Sequence, residues 1–457
     1  MKKLIVLAIV TTFVVSFASA VSAATWVKIG SSSNTLNPAD NNYKRIRFSD
    51  IVTDDAGNIY TLTPNSSPNA SDRYGVTIWK KNGTFNYTKI EVSSRSLGDA
   101  NGQNVFSDFT YITQLVKGGD GAIYGLANWY ELQWPQYQKG RNGIVKINAD
   151  GTMHYVWQAG DWGDEWQRLS QLQGIAVGKD GNIYWTTDAS NSYWKVHYLW
   201  QYDVASGTVS EAPINTVNNG WSDQNGIYEL VNVGQKSDGS QMFNIVSSGG
   251  NEWRQDPIGW SQNRVVGDAS NPGWGRNWLT GLEFDAKSGK LWTGARGASK
   301  RCIASGWFNI DPVTGQAAGD SVYHLTKDAD FGVDYWQQAL AINPANGDMW
   351  FSVNTDGNNS STLGGDRGKV LRRWDFSNAG TDSYASEGKP ELDADVMAVG
   401  FDGAGAAYAL VMNRGNVDST KKGQLSLYYA SVPEPGSLLA LGTGLVGLLG
   451  LIRRKRS

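Results

Sequence analysis

Sulfur and imidazole are scarce in this chain. Its 457 residues hold one cysteine, Cys302, and three histidines, His154, His197 and His324. A lone thiol closes no intramolecular disulfide, so stability must come from burial rather than from cross-links. Arg301 beside Cys302 is the kind of neighbour that lowers a thiol pKa, but the residue reads first as a small buried hydrophobe. Three scattered imidazoles argue against a histidine-rich metal or acid–base site. Gly-x-Ser-x-Gly, His-Glu-x-x-His, Walker and Rossmann patterns are all missing. Nothing between Ala24 and Ser431 sustains a helical period, which points to an all-β body. Basic charge is also short, with 40 Lys and Arg against 43 Asp and Glu. Six of those cations stand at the two ends, so the body between them has a net charge near −9. Nucleic acid is a poor partner for such a surface, because phosphate neutralisation needs a basic face.

The two ends carry what the body lacks. Met1-Lys2-Lys3 opens an apolar run from Leu4 to Phe17, followed by Ala18-Ser19-Ala20 and Val21-Ser22-Ala23. A basic start, a short apolar stretch and two small-x-small sites predict a cleavable signal helix over residues 1–23. At the other end Val432-Pro433-Glu434-Pro435-Gly436 precedes an uncharged run from Ser437 to Ile452, then Arg453, Arg454, Lys455 and Arg456. As a helix, 437–452 is about 24 Å long, a short transmembrane helix for a core of about 30 Å. The basic cluster 453–456 would stay cytoplasmic, leaving the body outside. These three parts, in this order, resemble the PEP-CTERM sorting signal of Gram-negative bacteria. The resemblance implies recognition of residues 432–457 by an exosortase-type membrane protease and cutting near Pro433, Glu434 and Pro435. It further implies anchoring in the inner membrane during sorting, then release to the cell surface or beyond, in company with exopolysaccharide. A plain C-terminal anchor would give the same topology without cutting.

The middle of the chain repeats. Ile51 to Tyr60 has close relatives in Leu115 to Tyr124 and Ile175 to Tyr184, with looser copies closing on Phe243, Trp292, Trp350 and Tyr408. These closing aromatics are 64, 60, 59, 49, 58 and 58 residues apart, so seven units fill residues 24–431. Each copy is a strand, an Asp-Gly type turn and a second strand, which predicts a β-hairpin. Further hairpins follow at 144–152, 199–208 and 307–316. Two hairpins per unit make a four-stranded blade, and seven blades predict a seven-bladed β-propeller. The strand Trp26 to Ile29 is expected beside Leu425 to Tyr428, closing the ring and covering its edges. The repeat resembles those of NHL-type and streptogramin-lyase-like propellers, a likeness that implies architecture and not activity. Streptogramin lyases use His and Glu on the ring's top face; no histidine here stands in that motif, so the activity is not carried over.

In such a ring the tight turns share one rim and the other connections emerge on the opposite face. Those connections are expected to be long, over 128–141, 158–168, 188–196, 215–225, 249–261, 269–277, 296–304, 354–368, 378–394 and 412–423. They hold nine of 20 tryptophans: Trp129, Trp134, Trp162, Trp166, Trp194, Trp221, Trp253, Trp260 and Trp274. Exposed indoles flanked by Asp, Asn and Gln suit the apolar face and hydroxyls of sugar rings. For any one of them, packing inward over the channel is the competing reading. The strand aromatics Tyr60, Trp79, Tyr124, Tyr184, Trp200, Trp292, Trp307, Trp350 and Trp374 are expected between blades. No cofactor is required. One loop, Asn354 to Ser360 with Asp366, is dense in oxygen ligands for Ca2+, and its composition equally suits a polar connection. The leading expectation is an exported, non-enzymatic propeller that binds polysaccharide or a matrix partner through its tryptophan-bearing face. The alternative is a propeller hydrolase or lyase acting on a polysaccharide or lactone through channel acids, with Asp223, Glu229, Glu283 and Asp334 as candidates.

Overall fold

A computed structural model describes residues 24–35, 51–64, 74–83, 86–93, 97–98, 110–129, 143–158, 171–191, 194–211, 227–235, 239, 241–247, 253–254, 278–285, 290–296, 301–307, 309–310, 317–318, 322–324, 339–353, 368–373 and 385–431. The signal segment 1–23 and the tail 432–457 lie outside these residues, and so do the two helices expected there. Among the described residues the structure is all-β. The helical exception is one turn at Ser419–Lys421, and no helix is long and apolar enough to cross a membrane.

The chain lays down one small antiparallel sheet after another. Unit 1 has four strands, Ile51–Thr53, Ile59–Pro64, Tyr74–Lys81 and Tyr87–Ser93, each paired with its neighbour in sequence. Unit 2 (110–158) repeats that order, with Leu97–Gly98 added in parallel to its last strand. Units 3 (171–211), 5 (278–324) and 6 (340–386) are also four-stranded among the described residues, and unit 4 (227–254) has three strands. Unit 7 takes three strands from 394–431 and its fourth from the other end of the chain. Thr25–Thr35 pairs antiparallel with Gln424–Ser431, with Val27 opposite Tyr429 and Lys28 opposite Tyr428. The pairing lies where the sequence placed it and runs further than expected.

The first strand of each sheet packs on the first strand of the next, from Ile51–Thr53 round to Ala394–Phe401. That last strand packs back against Ile51–Thr53. A closed cycle of first strands with sheets fanning outward is a propeller-like arrangement.

Strand periodicity explains why such sheets bury both faces. In Ala407–Asn413 every residue is buried. Ala407, Ala409 and Val411 join Trp350, Val370 and Val399 in the core between units 6 and 7. The alternate residues Tyr408, Leu410 and Met412 join Ile51, Ile59 and Ile78 in the core between units 7 and 1. Alternate side chains of one strand thus feed two separate cores. The repeat aromatics fill these layers: Tyr60, Tyr124, Tyr184 and Trp350 are all buried, as is Trp79. Tyr184 meets Phe243 of the next unit at 4.8 Å, and Trp350 meets Phe401 edge-on at 5.6 Å. Trp200 is half-buried and packs on Trp157. Trp292 and Trp307 lie in strands, and Trp374 falls outside the described residues.

Two expectations about local structure need correcting. The connection expected over 188–196 shrinks, because Ile183–Asn191 and Trp194–Asp203 stay paired out to Asn191 opposite Trp194. The connection expected over 296–304 shrinks likewise, since Arg296 pairs with Arg301. Polar residues extend these ladders because main-chain hydrogen bonds hold a hairpin end without apolar side chains. The hairpin expected over 307–316 forms, but it stands apart from the four-stranded sheet of unit 5. Arg301–Trp307 pairs with Val322–His324, and Asn309–Ile310 with Ala317–Ala318 form a separate two-stranded ladder.

Candidate functional site

The tight turns gather on one rim. The Gly119 N–H donates to the Gly181 carbonyl at 2.8 Å, linking the first turns of units 2 and 3. Lys117 pairs with Asp55 between units 1 and 2. The Lys179 N–H donates to Gln241 between units 3 and 4, and the Asn343 side chain donates to the Gly405 carbonyl between units 6 and 7. Gly121 and Gly181, at φ of 77° and 82°, supply the left-handed corners these turns require.

The turns of units 1, 2, 3 and 7 are locked by a feature the sequence reading explained only as a turn. The turn aspartate accepts a hydrogen bond from the phenol of the aromatic that closes the repeat. Tyr60 donates to Asp54 at 3.0 Å, Tyr124 to Asp120 at 2.8 Å, Tyr184 to Asp180 at 2.7 Å and Tyr408 to Asp402 at 3.3 Å. Burial raises all four phenols above their ordinary pKa, and the carboxylate beside each adds to the rise. Burial opposes ionisation of Asp120, but hydrogen bonds from Tyr124 and Lys146 outweigh it and hold the carboxyl below its usual range. The signal was an Asp four or six residues before each Tyr. In these four units the turn carboxylate is engaged in holding its own turn.

On that opposite face, strand registers place three of the nine candidate tryptophans. Trp129 ends Ile123–Trp129, opposite Thr110, and Trp194 begins Trp194–Asp203, opposite Asn191. Trp253 begins Trp253–Arg254, opposite Val246. All three stand at strand ends remote from the Asp-Gly turns. They belong to strands rather than to the connections where the sequence reading put them. Trp134, Trp162, Trp166, Trp221, Trp260 and Trp274 lie outside the described residues.

Unit 7 shows what this face is made of. Asp395, fully buried at the start of Ala394–Phe401, accepts the Arg414 Nε at 2.7 Å. Asp393 accepts the Asn416 side chain and the Val417 N–H. Glu391 accepts from Asn413 at 2.7 Å and from the Tyr428 phenol at 2.8 Å. Burial, with Glu391 second, raises that phenol above its ordinary pKa. These acids bind their own loops. Between them Leu392 and Val417 are exposed, at 76% and 70%. They are two of the three large apolar side chains that are exposed among the described residues.

The remaining sequence candidates are dispersed. Glu283 sits mid-strand and half-buried, Glu229 lies in Ile227–Gln235, and Asp223 and Asp334 fall outside the described residues. His154 is half-buried opposite Lys146; burial and then that lysine lower its pKa. His197 and His324 are strand residues, and Cys302 pairs in register with Ala295. The Asn354 to Ser360 loop and Asp366 lie outside the described residues. Among the described residues no cluster of His, Cys, Asp and Glu is placed to hold a metal ion.

The comparisons place the tail first. Residues 431–456 match the PEP-CTERM protein-sorting motif, so the chain carries that signal at its C-terminus. No curated protein matches the chain by sequence. Among solved structures, the polysaccharide lyase Uly1 is similar at 11% identity and a TM-score of 0.48, covering 85% of this chain and 90% of that one. A protein from Lactobacillus plantarum is 11% identical with a TM-score of 0.42, covering 74% and 84%. The PQQ-bound aldose sugar dehydrogenase of Streptomyces coelicolor is 10% identical with a TM-score of 0.38, covering 90% and 100%.

Proposed function

We propose that this chain is an exported surface protein that binds polysaccharide or a matrix partner through the face opposite its tight turns. Residues 1–23 act as a signal peptide, 24–431 form a seven-bladed β-propeller, and 432–457 direct sorting. The run 437–452 spans the inner membrane while Arg453, Arg454, Lys455 and Arg456 hold the cytoplasmic side. An exosortase-type protease then cuts near Pro433, Glu434 and Pro435, releasing the body to the cell surface or beyond.

The sorting motif over residues 431–456 carries this reading. The cycle of first strands supports the ring, since strand Thr25–Thr35 joins the last sheet and leaves the cycle without an open end. Three observations favour the loop face as the binding surface. Four of the tight turns tie up their carboxylates in Asp–Tyr pairs, Trp129, Trp194 and Trp253 stand at strand ends remote from those turns, and Leu392 and Val417 are exposed on the loop face. Indole rings beside amide and carboxylate side chains would stack on sugar C–H faces and bond to hydroxyls. Binding, rather than catalysis, fits the acids of unit 7, which are engaged by Arg414, Asn413 and Asn416.

A polysaccharide pull-down with exported protein tests the reading, comparing wild type with a Trp162→Ala/Trp166→Ala variant. Reduced retention of the variant is expected. Equal retention of both proteins would remove the tryptophan platform.

A further inference from the structure

Glu387 lies where unit 6 meets the strand that completes unit 7, and its surface is fully buried. Its Oε1 accepts the Arg372 Nε at 2.6 Å, and the same guanidinium reaches Asp348 Oδ2 at 3.5 Å. Its Oε2 accepts the backbone nitrogen of Ala24 at 2.9 Å, across 363 residues. Its main-chain carbonyl accepts the Trp26 indole N–H at 2.7 Å. One residue thus receives two anchors from the start of the closing strand. Ala24 is itself 8% exposed, and it directly follows Val21-Ser22-Ala23. That triplet is one of the two small-x-small sites of the signal segment.

We propose that the signal is cut between Ala23 and Ala24, and that Glu387 is the binding site for the α-ammonium this cut creates. The inference rests on the exported reading above. Hydrolysis by a signal peptidase consumes one water; the new carboxylate leaves on Ala23 and the protonated amine stays on Ala24. Before cutting, the nitrogen of Ala24 offers Glu387 one neutral amide N–H. After cutting, the same atom in the same place carries a full charge and three donors.

Charge-assisted hydrogen bonds are roughly twice as strong as neutral ones, and a buried setting strengthens them further. Arg372 is divided between two carboxylates, so the ammonium gives Glu387 a cation of its own. A cut after Ala20 would leave Val21-Ser22-Ala23 ahead of Ala24 and put the charge three residues from Glu387. Maturation at Ala24 therefore tightens ring closure as well as releasing the chain. The processed protein holds its first strand by an ion pair that the precursor cannot make.

The full-length protein, exported by its own host and recovered from outside the cell, supplies the test. Its N-terminus, read by mass spectrometry, is expected at Ala24. A start at Val21 would overturn this inference and leave export standing, whereas an intact Met1 would overturn both. The same protein is then exposed to an amine-acylating reagent at pH 7, native and in denaturant. The reagent needs the neutral amine, whose fraction falls about tenfold for each pKa unit by which the ammonium is stabilised. Labelling of Ala24 is expected to be at least about tenfold slower in the native protein, with Glu387→Gln removing most of that difference. Equal labelling of native and denatured wild type would overturn the proposal whether or not the variant folds. Undiminished protection in a folded Glu387→Gln protein would overturn it too, because burial alone would then explain the effect.

Discussion

The Glu91 carboxylate accepts the backbone N–H of Ser33 at 2.7 Å, joining residues 58 positions apart. The Ser32 hydroxyl donates to the same oxygen at 3.0 Å, and Lys89 reaches Ser31 and Ser33. At its other end the strand reaches unit 6, where Trp26 meets Trp350 edge-on with centroids 6.1 Å apart. Strand Thr25–Thr35 therefore touches units 6 and 1 while hydrogen-bonded into unit 7. The first strands of units 7 and 1 pack on each other, and this strand adds a second join between those two sheets.

Glu91→Ala is expected to lower stability by about 1–2 kcal/mol, a charged hydrogen bond discounted for partial exposure. Acid should act in the same direction. Burial opposes ionisation of Glu91, but hydrogen bonds from Ser33 and Ser32 and the charge of Lys89 prevail and lower its pKa. A depressed carboxylate pKa contributes stability that is full above the unfolded value and is lost as pH falls through the folded value. Denaturant melts of wild type between pH 6 and 3 should lose more stability than melts of Glu91→Ala over the same range. Parallel losses would show that Glu91 does not hold the closing strand.

Gly119→Ala should destabilise the joint between units 2 and 3. A Cβ there would lie 2.6 Å from the Gly181 Cα and 3.0 Å from its carbonyl oxygen, both backbone atoms that cannot rotate away. Overpacking of this kind costs about 1–3 kcal/mol. Gly403→Ala meets nothing within 4 Å and serves as the control, with no loss expected. Thermal melts of the two variants decide it, and a similar midpoint for both would contradict the contact.

The four phenol–carboxylate pairs predict how the protein responds to base. Tyr60, Tyr124, Tyr184 and Tyr408 have raised pKa values in the folded state. Their stabilising effect is full below pH 10 and is lost as pH rises through the folded values. An ultraviolet titration at pH 11 should show at least four of the 20 tyrosines un-ionised until the protein unfolds. Tyr124→Phe should cost about 1 kcal/mol, the net worth of a typical hydrogen bond. Ionisation of all phenols before any loss of β-structure would contradict the pairing.

Arg372→Met removes the cation from a buried carboxylate. Breaking one partner of such a pair costs about 3–5 kcal/mol, because the other charge stays buried. A single variant as stable as wild type in urea would contradict the ion pair between Arg372 and Glu387.

The ring was legible in the sequence because its cause is local. Each unit restates an Asp-Gly turn between two strands, and Tyr60, Tyr124 and Tyr184 mark the same place in successive sheets. Closure by Trp26 and its neighbours was legible because a spare strand had one vacancy to fill. Contacts between distant segments left no such mark. Nothing near Glu387 announces Ala24 as its partner, because register between sheets is set by three-dimensional closure and not by spacing. Strand ends were misjudged for a related reason. Ser190, Asn191 and Trp194 have loop-like composition, yet they remain in a hairpin ladder begun by Ile183 and Tyr184. The turn aspartates were read as corner residues, and their second task, holding a buried phenol, depends on a side chain folding back across the turn.

The most direct measurement is the intact mass of the protein recovered outside its host cell. The account predicts a chain that has lost its C-terminal segment, with the break near Pro433, Glu434 and Pro435 and residues 437–457 absent. An extracellular protein still ending at Ser457, or a full-length chain found only in the cytoplasm, would contradict export by this signal.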